Sequence, residues 1–286
     1  MTSYAVFPGI ELIYNDVHAQ ECTVERPPFT GGTNLVEINH CREGRIECEF
    51  HDEFVYLSQG DVSVSANKNA CPASFFPGGH YHGITILIDT SRAPDCLSCF
   101  LEDVNVELSA LISRFCSDDT CFIMRAKPCI EHIFSELYAV PESIRKGYFK
   151  VKVLELLLFL NSIDPAEERS VQNGISRSQM ELAKGVNRLL TDNLDRRYTI
   201  DQLSDCFHAS PTQIKNSFRS VYGTSIYAFV KTQKMHEAAL LLRKTNQSIL
   251  EIAGEFGYDN GSKFARAFRG VMGAAPSEYR NDHGNV

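Results

Sequence analysis

The chain has 286 residues, a formal net charge of −8 and 43% hydrophobic residues, enough for about two domains with cores of their own. No apolar run reaches the roughly 18 residues of a membrane span, and Met1–Pro8 has no basic residue ahead of an apolar stretch. A cytoplasmic location with no membrane partner is therefore expected, and the ten cysteines are expected to stay thiols.

Residues 10–90 read mostly as strands. Val36 to His40 alternate in character, Glu43-Gly44 marks a turn, and Ile46, Cys48 and Phe50 alternate with Glu47, Glu49 and His51. That pattern predicts a half-buried hairpin. Gly60-Asp61 opens another short strand through Val62 and Val64, and Pro77-Gly78-Gly79 predicts a turn. His82, Ile84, Ile86 and Ile88 then share one strand face, as His40 shares one with Val36 and Ile38. Short antiparallel strands with Gly and Pro turns predict a small barrel or sandwich.

From about Asn105 the pattern becomes helical. Pro128 suits the first turn of a helix running to about Val140. Glu142–Ser162 reads as one long helix with Phe149, Val153, Leu156, Leu157 and Leu160 on one broad face. Val151, Leu154 and Leu158 make a second apolar face, so burial on two sides is expected. Either the domain core or a second subunit covers that face, and the reading chosen is a homodimer contact through Leu154 and Leu158. The stretch 164–177, rich in Pro, Glu, Ser, Asn and Gly, reads as a linker.

The remainder differs in charge. Residues 1–177 carry 14 Lys and Arg against 25 Asp and Glu, whereas residues 178–286 carry 14 against 11, net +3. That division suits nucleic-acid contact confined to one domain. After a helix from about Ser178 to Asp195, Thr199 with Gln202 and Ser248 with Glu251 each have a capping-box pattern, 49 positions apart. Each opens a short helix, and a turn and a second capped helix follow. In the first unit Ser210 caps, Pro211 takes the first position, Gln213 completes a box, and Gly223 ends the helix. Ile214 and Phe218 face inward, leaving Thr212, Lys215, Asn216 and Arg219 outside. In the second unit Asn260 caps and Phe264 and Phe268 face inward. Gly261, Ser262, Lys263, Arg266 and Arg269 remain outside. The helix Ser225–Arg243 joins the two units. Two such units on one chain suit successive major grooves, whose faces repeat about 34 Å apart.

The stretch Tyr198–Arg280 resembles the DNA-binding domain of AraC/XylS-type transcriptional regulators. The resemblance rests on Leu203, Ser210, Ile214, Phe218, Gly223, Ala238–Leu242, Ile249–Ala253, Phe256–Tyr258, Ser262–Phe264, Phe268-Arg269 and Gly273–Arg280. It covers about a third of the chain. It implies double-stranded DNA as partner and two recognition helices, with base-facing positions at Thr212, Lys215, Asn216, Gly261, Ser262 and Arg266. Two departures stand out: Gly254 within a supporting helix, and Gly261 without a side chain at a base-facing position. The resemblance further implies an α+β chain. Residues 1–163 would form a cupin-like antiparallel β-barrel with helices that binds an effector or a partner. An all-α domain with two helix-turn-helix units would fill 178–286. RNA polymerase stands as a candidate partner.

Gly60-Asp61 and Phe76–His80 look like remnants of cupin motifs. His80 and His82 are present, but the next acidic residue is Asp89, so the ligand set is incomplete and no metal is expected. The pocket candidates are His40, Phe50, Phe76 and His82, for a small organic effector of unknown identity. Cys96 and Cys99 form a lone CxxC, read as ordinary thiols. With no phosphate loop and no nucleophile elbow, neither an enzyme nor a cofactor is expected. Two alternatives stay open: a cupin-type metal-binding protein or enzyme with an appended DNA-binding domain, and a regulator whose N-terminal domain only dimerises or docks a partner protein.

Overall fold

The computed structural model describes residues 1–23, 35–50, 53–66, 73–97, 104, 106–116, 122–166 and 174–283. The chain divides into two compact units, Met1–Ile175 and Ser176–Val286. The linker expected over 164–177 has its middle, 167–173, outside the described residues.

The first unit contains the strands β1 (Thr2–Phe7), β2 (Ile10–Val17), β3 (Glu21–Thr23), β4 (Leu35–Gly44), β5 (Ile46–Phe50), β6 (Glu53–Leu57), β7 (Val62–Ala66), β8 (Ala73–Phe75), β9 (Tyr81–Asp89) and β10 (Phe122–Met124). Its helices are α1 (Leu108–Phe115), α2 (Pro128–Leu137) and α3 (Arg145–Ser162). Six strands form an antiparallel sheet in the order β1-β2-β9-β4-β7-β10. Alternation sends Ile10, Leu12, Val36, Ile38, Val62, Val64, Ile84, Ile86 and Ile88 to one face, where all are buried. Leu111, Phe115, Ile133, Phe134, Phe149, Val153 and Leu156 from the three helices complete this core. The opposite face holds a smaller core of Val17, Cys41, Val55, Leu57, Phe76, Tyr81 and Ile123.

The expected cupin-like barrel does not close among the described residues. The six-stranded sheet ends at β1 and β10, and β3, β5, β6 and β8 belong to smaller sheets. Its apolar face is spent on helices, so the main core lies between sheet and helices rather than inside a barrel. The hairpin across Glu43-Gly44 is not formed either. β4 pairs with β7 and β9, whereas β5 pairs with β6. Gly44 turns the chain out of the large sheet at φ +85, and a Cβ there would stand 2.3 Å from the His80 carbonyl oxygen. That is the conformation and the close approach that favour glycine. Within the stretch read as helical, Phe122–Met124 is the edge strand β10, paired with β7. Cys96 is disulfide-bonded, so it is not the thiol expected, and Cys99 lies outside the described residues.

The helix α3 begins at Arg145 and is buried on one side within this unit, through Phe149, Val153, Leu156, Leu157 and Leu160. The second apolar face is not covered: Val151 and Leu158 are exposed and Leu154 is half-buried.

The second unit is helical: α4 (Arg177–Thr191), α5 (Ile200–Phe207), α6 (Pro211–Tyr222), α7 (Ile226–Lys244), α8 (Ile249–Glu255), α9 (Gly261–Met272) and α10 (Pro276–His283). Reciprocal capping boxes open α4 at Ser176, α5 at Thr199 and α8 at Ser248. Glycines 223 and 273 end α6 and α9 with φ of 72° and 78°.

Candidate nucleic-acid interface

Two helix-turn-helix pairs build the interface, α5 with α6 and α8 with α9. In the first, His208 takes a left-handed conformation between the helices, φ 50, and its N–H closes onto the Ser204 carbonyl. The Ser204 hydroxyl also donates to the Ala209 carbonyl, pinning the turn. Ser210 accepts the Gln213 N–H at 3.2 Å. The return bond from the Gln213 side chain is missing, so the box expected there is half formed, unlike that at Thr199. Ile214 and Phe218 are fully buried. Phe218, Tyr222 and Phe229 of α7 form a ring cluster with centroids 4.5 to 5.4 Å apart. This packing fixes the rotation of α6, and Thr212, Lys215, Asn216 and Arg219 are all left exposed. Their spacing of three and four places them on one stripe.

The second pair has the same plan. Gly257 makes the turn with φ 75. The Asn260 side chain accepts the N–H groups of Ser262 and Lys263. Phe264 and Phe268 are fully buried against Met235, Ala238, Leu242, Ile252 and Ala253. Ser262, Lys263, Arg266 and Arg269 are exposed, whereas Gly261 is half-buried beside Leu250. Arg269 lies 3.8 Å from Glu278, an exposed pair that constrains it little. Gly254 is exposed and a Cβ there would meet nothing within 4 Å, so packing does not demand glycine.

Two cations, Lys234 and Arg280, hold the second pair in place. Lys234 of α7 is buried, and its ammonium donates to the Phe256 carbonyl at 2.9 Å. Burial pushes its pKa down, and the position at the C-terminal end of α8 favours the cation. Arg280 of α10 donates to the carbonyls of Leu242 and Gln247. Neither role is visible in sequence, because both depend on which carbonyls the fold leaves unpaired.

The three effector candidates whose side chains are described, His40, Phe76 and His82, are not brought together. His40 is buried on the helix-covered face and stacks on Phe134, centroids 4.1 Å apart. Both its ring nitrogens lack a hydrogen-bond partner. Phe76 belongs to the core on the opposite side and stacks on Tyr81. His82 is partly exposed beside Asp16, and the Phe50 side chain lies outside the described residues. A cleft of about 160 Å³ in this unit is lined by Phe7, Ile10, Glu11, Leu35, Leu87 and Arg92 among others, and by none of His40, Phe76 and His82. The face opposite His40 instead carries a polar row. Asn15 donates to Thr85 at 2.8 Å, Thr85 to Asn39 at 3.2 Å, and Tyr81 to Asn39 at 2.8 Å. Strand parity predicts this row, since Asn39 and Thr85 alternate with the core residues.

His40 carries a pH consequence. Burial, with Arg42 adding to it, lowers its pKa to about 4. An unfolded histidine titrates near 6.5, so the unfolded chain takes the proton first. The stability held by the neutral ring is complete above pH 6.5 and is lost as pH falls toward 4, by about 3 kcal/mol. Urea midpoints at pH 7 and 4.5 should differ less in His40→Leu than in the native protein. Equal acid sensitivity would show that the ring is not held neutral.

Comparison with known proteins agrees with this architecture. A helix-turn-helix domain model matches residues 203–282. The HTH-type transcriptional regulator MtrA of Neisseria gonorrhoeae is 25% identical over 58% of this chain and 57% of its own length. The arabinose operon regulatory protein of Salmonella typhimurium is 24% identical over 51% of this chain and 53% of its own length. The chain thus spans about half the length of these relatives. A probable AraC family transcriptional regulator from Rhodopseudomonas palustris aligns at 27% identity over 37% of this chain and 99% of that one, with a TM-score of 0.34. Residues 203–282, whose paired capped helices are described above, thus match a helix-turn-helix domain, and through that domain the chain is similar to AraC-type transcriptional regulators.

Proposed function

We propose that this protein is a transcriptional regulator that reads duplex DNA with α6 and α9 in successive major grooves. The observation that carries the reading is the pair of exposed polar stripes, Thr212, Lys215, Asn216 and Arg219 on one helix and Ser262, Lys263, Arg266 and Arg269 on the other. Each stripe is held by a buried aromatic anchor on the reverse side. Short polar side chains read base edges, and the cations hold phosphate and set the register. Gly261 contributes close approach rather than a contact. Arg266→Ala should weaken only the second half-site, whereas Lys215→Ala and Asn216→Ala should weaken only the first. A bidentate guanine contact by Arg266 is worth about 1–3 kcal/mol at one base position, whereas a phosphate contact weakens all sequences alike. Footprints of the three variants check the assignment, and loss of the same half-site in all three would contradict it.

The first unit supplies a homodimer contact in this reading. Val151 and Leu158 of α3 and Ile144 just before it are 61%, 41% and 53% exposed, and the three recur every seventh residue, with Leu154 among them. That is the spacing of a seam between two helices. Leu154→Glu with Leu158→Glu should give a folded monomer by sedimentation, because charge is costly at a desolvated contact. A native protein that is already monomeric at micromolar concentration would remove the seam. Small-molecule sensing fits the polar row Asn15, Thr85, Asn39 and Tyr81 better than the residues around His40. An effector shifts DNA affinity only through a difference in its affinity for two states of the protein. RNA polymerase contact and a cytoplasmic setting complete the proposal.

A further inference from the structure

His82 stands in a row that sequence spacing does not reveal. It pairs with Asp16 on β2 and with Glu43 on β4, so three adjacent strands place Asp16, His82 and Glu43 side by side. His18 follows two residues after Asp16 and turns toward the same point. Asp16 Oδ1 lies 3.0 Å from His18 Nε2 and 3.2 Å from His82 Nδ1. One ligand atom from each of the three residues lies within 4.8 Å of the other two. The two imidazole rings stand edge to face, centroids 5.2 Å apart, so neither ring blocks the other's nitrogen.

From this geometry we infer a divalent transition-metal site formed by Asp16, His18 and His82. Ligands held 2.0–2.1 Å from a tetrahedral zinc stand about 3.4 Å apart, and the two Asp–His separations are already close to that. Two imidazoles and one carboxylate suit zinc, and the same donors also take other late first-row ions. Three protein ligands leave a fourth position for water or a further donor. His80 stands close by, its ring 6.3 Å from that of His82, with Glu43 3.9 Å from His80 Nε2. The position is accessible, since the side chains of His18 and Asp16 are 69% and 63% exposed. Backbone pairing of β2 with β9 sets Asp16 opposite His82 without any metal, so little ordering is required of those two ligands on binding. The His-x-His of residues 80–82 lacks a nearby acidic partner in sequence; the fold supplies one from a strand 66 positions earlier. A bound ion would clamp the end of β2 to the start of β9. This inference does not depend on how α6 and α9 read DNA.

The test is Co²⁺ titration of the untagged full-length protein, followed by Zn²⁺ competition. One Co²⁺ per chain is expected, with visible d–d absorption and no thiolate charge-transfer band in the near ultraviolet. His18→Ala and His82→Ala should each weaken binding by about 100-fold or more, beyond the 10–100-fold of losing an outer-shell partner. His132→Ala, on the exposed surface of α2, should leave binding unchanged. Circular dichroism confirms that each variant is folded. No uptake by the native protein, a thiolate band, or undiminished uptake in both His18→Ala and His82→Ala would each overturn the site, leaving an Asp–His hydrogen-bonded cluster.

Discussion

Asp61→Ala should cost the first unit about 2–5 kcal/mol, because it removes a buried acceptor that serves two backbone N–H groups. Asp61 is 3% exposed, yet it is a charged residue at the head of β7. One carboxylate oxygen accepts the Ser58 N–H at 2.8 Å and the Arg125 guanidinium at 2.6 Å, and the other accepts the Ala126 N–H at 3.1 Å. It therefore ties the turn after β6 to the segment that leaves β10. Truncation leaves two backbone donors without their acceptor, each orphan costing about 1–3 kcal/mol, whereas the partly exposed Arg125 keeps the Tyr56 carbonyl. Gly60, at φ +83, sets the turn that aims the carboxylate inward. Urea denaturation of Asp61→Ala against the native protein measures the effect, and Asp61→Asn should recover part of it by keeping an acceptor. A loss below 1 kcal/mol in Asp61→Ala would mean that water replaces the carboxylate.

Phe268→Ala should disable the second helix-turn-helix pair. The ring is fully buried, 5.8 Å from Phe264 and 5.5 Å from Tyr279 between centroids. It joins α9 to α7, α8 and α10 in one core. Removing such a ring costs about 3–5 kcal/mol, against a typical domain stability of 5–15 kcal/mol. Leu250→Ala is the contrast, since Leu250 is 64% exposed and a surface change of this kind stays within about 0.5 kcal/mol. The second half-site should be lost in Phe268→Ala at temperatures where the first survives. Denaturation midpoints of the two variants check this ordering, and equal midpoints would contradict it.

The second unit was largely legible because its signals are local. Thr199 with Gln202, Ser248 with Glu251, Asn260, Gly223 and Gly273 mark helix ends within a few residues, and each does so in the structure. The first unit was legible only strand by strand. Alternation assigned Ile84, Ile86 and Ile88 to a common core face. It could not say whether helices or a barrel interior would cover that face, and in the structure the helix Pro128–Leu137 covers it at His40 through Phe134. Pairing partners were equally hidden. The Glu43-Gly44 turn reads as a hairpin locally, but β4 finds its neighbours at β9 and β7 across dozens of residues. The Asp16, His18 and His82 cluster escaped notice for the same reason, since its spacing exists only across β2 and β9. On α3, periodicity found both apolar faces, and only the structure separates the packed face from the open one.

The central claim is that α6 and α9 together read DNA sequence. The most direct measurement is selection from a pool of random duplexes by the full-length protein, with excess nonspecific competitor at a stated salt concentration. The account predicts enrichment of one site of about 17–20 base pairs, with two half-sites one helical turn apart. In that site, Arg266→Ala should relax or lose one half and Lys215→Ala the other. A folded protein that enriches no sequence over competitor, or a site spanning a single major groove, would contradict it.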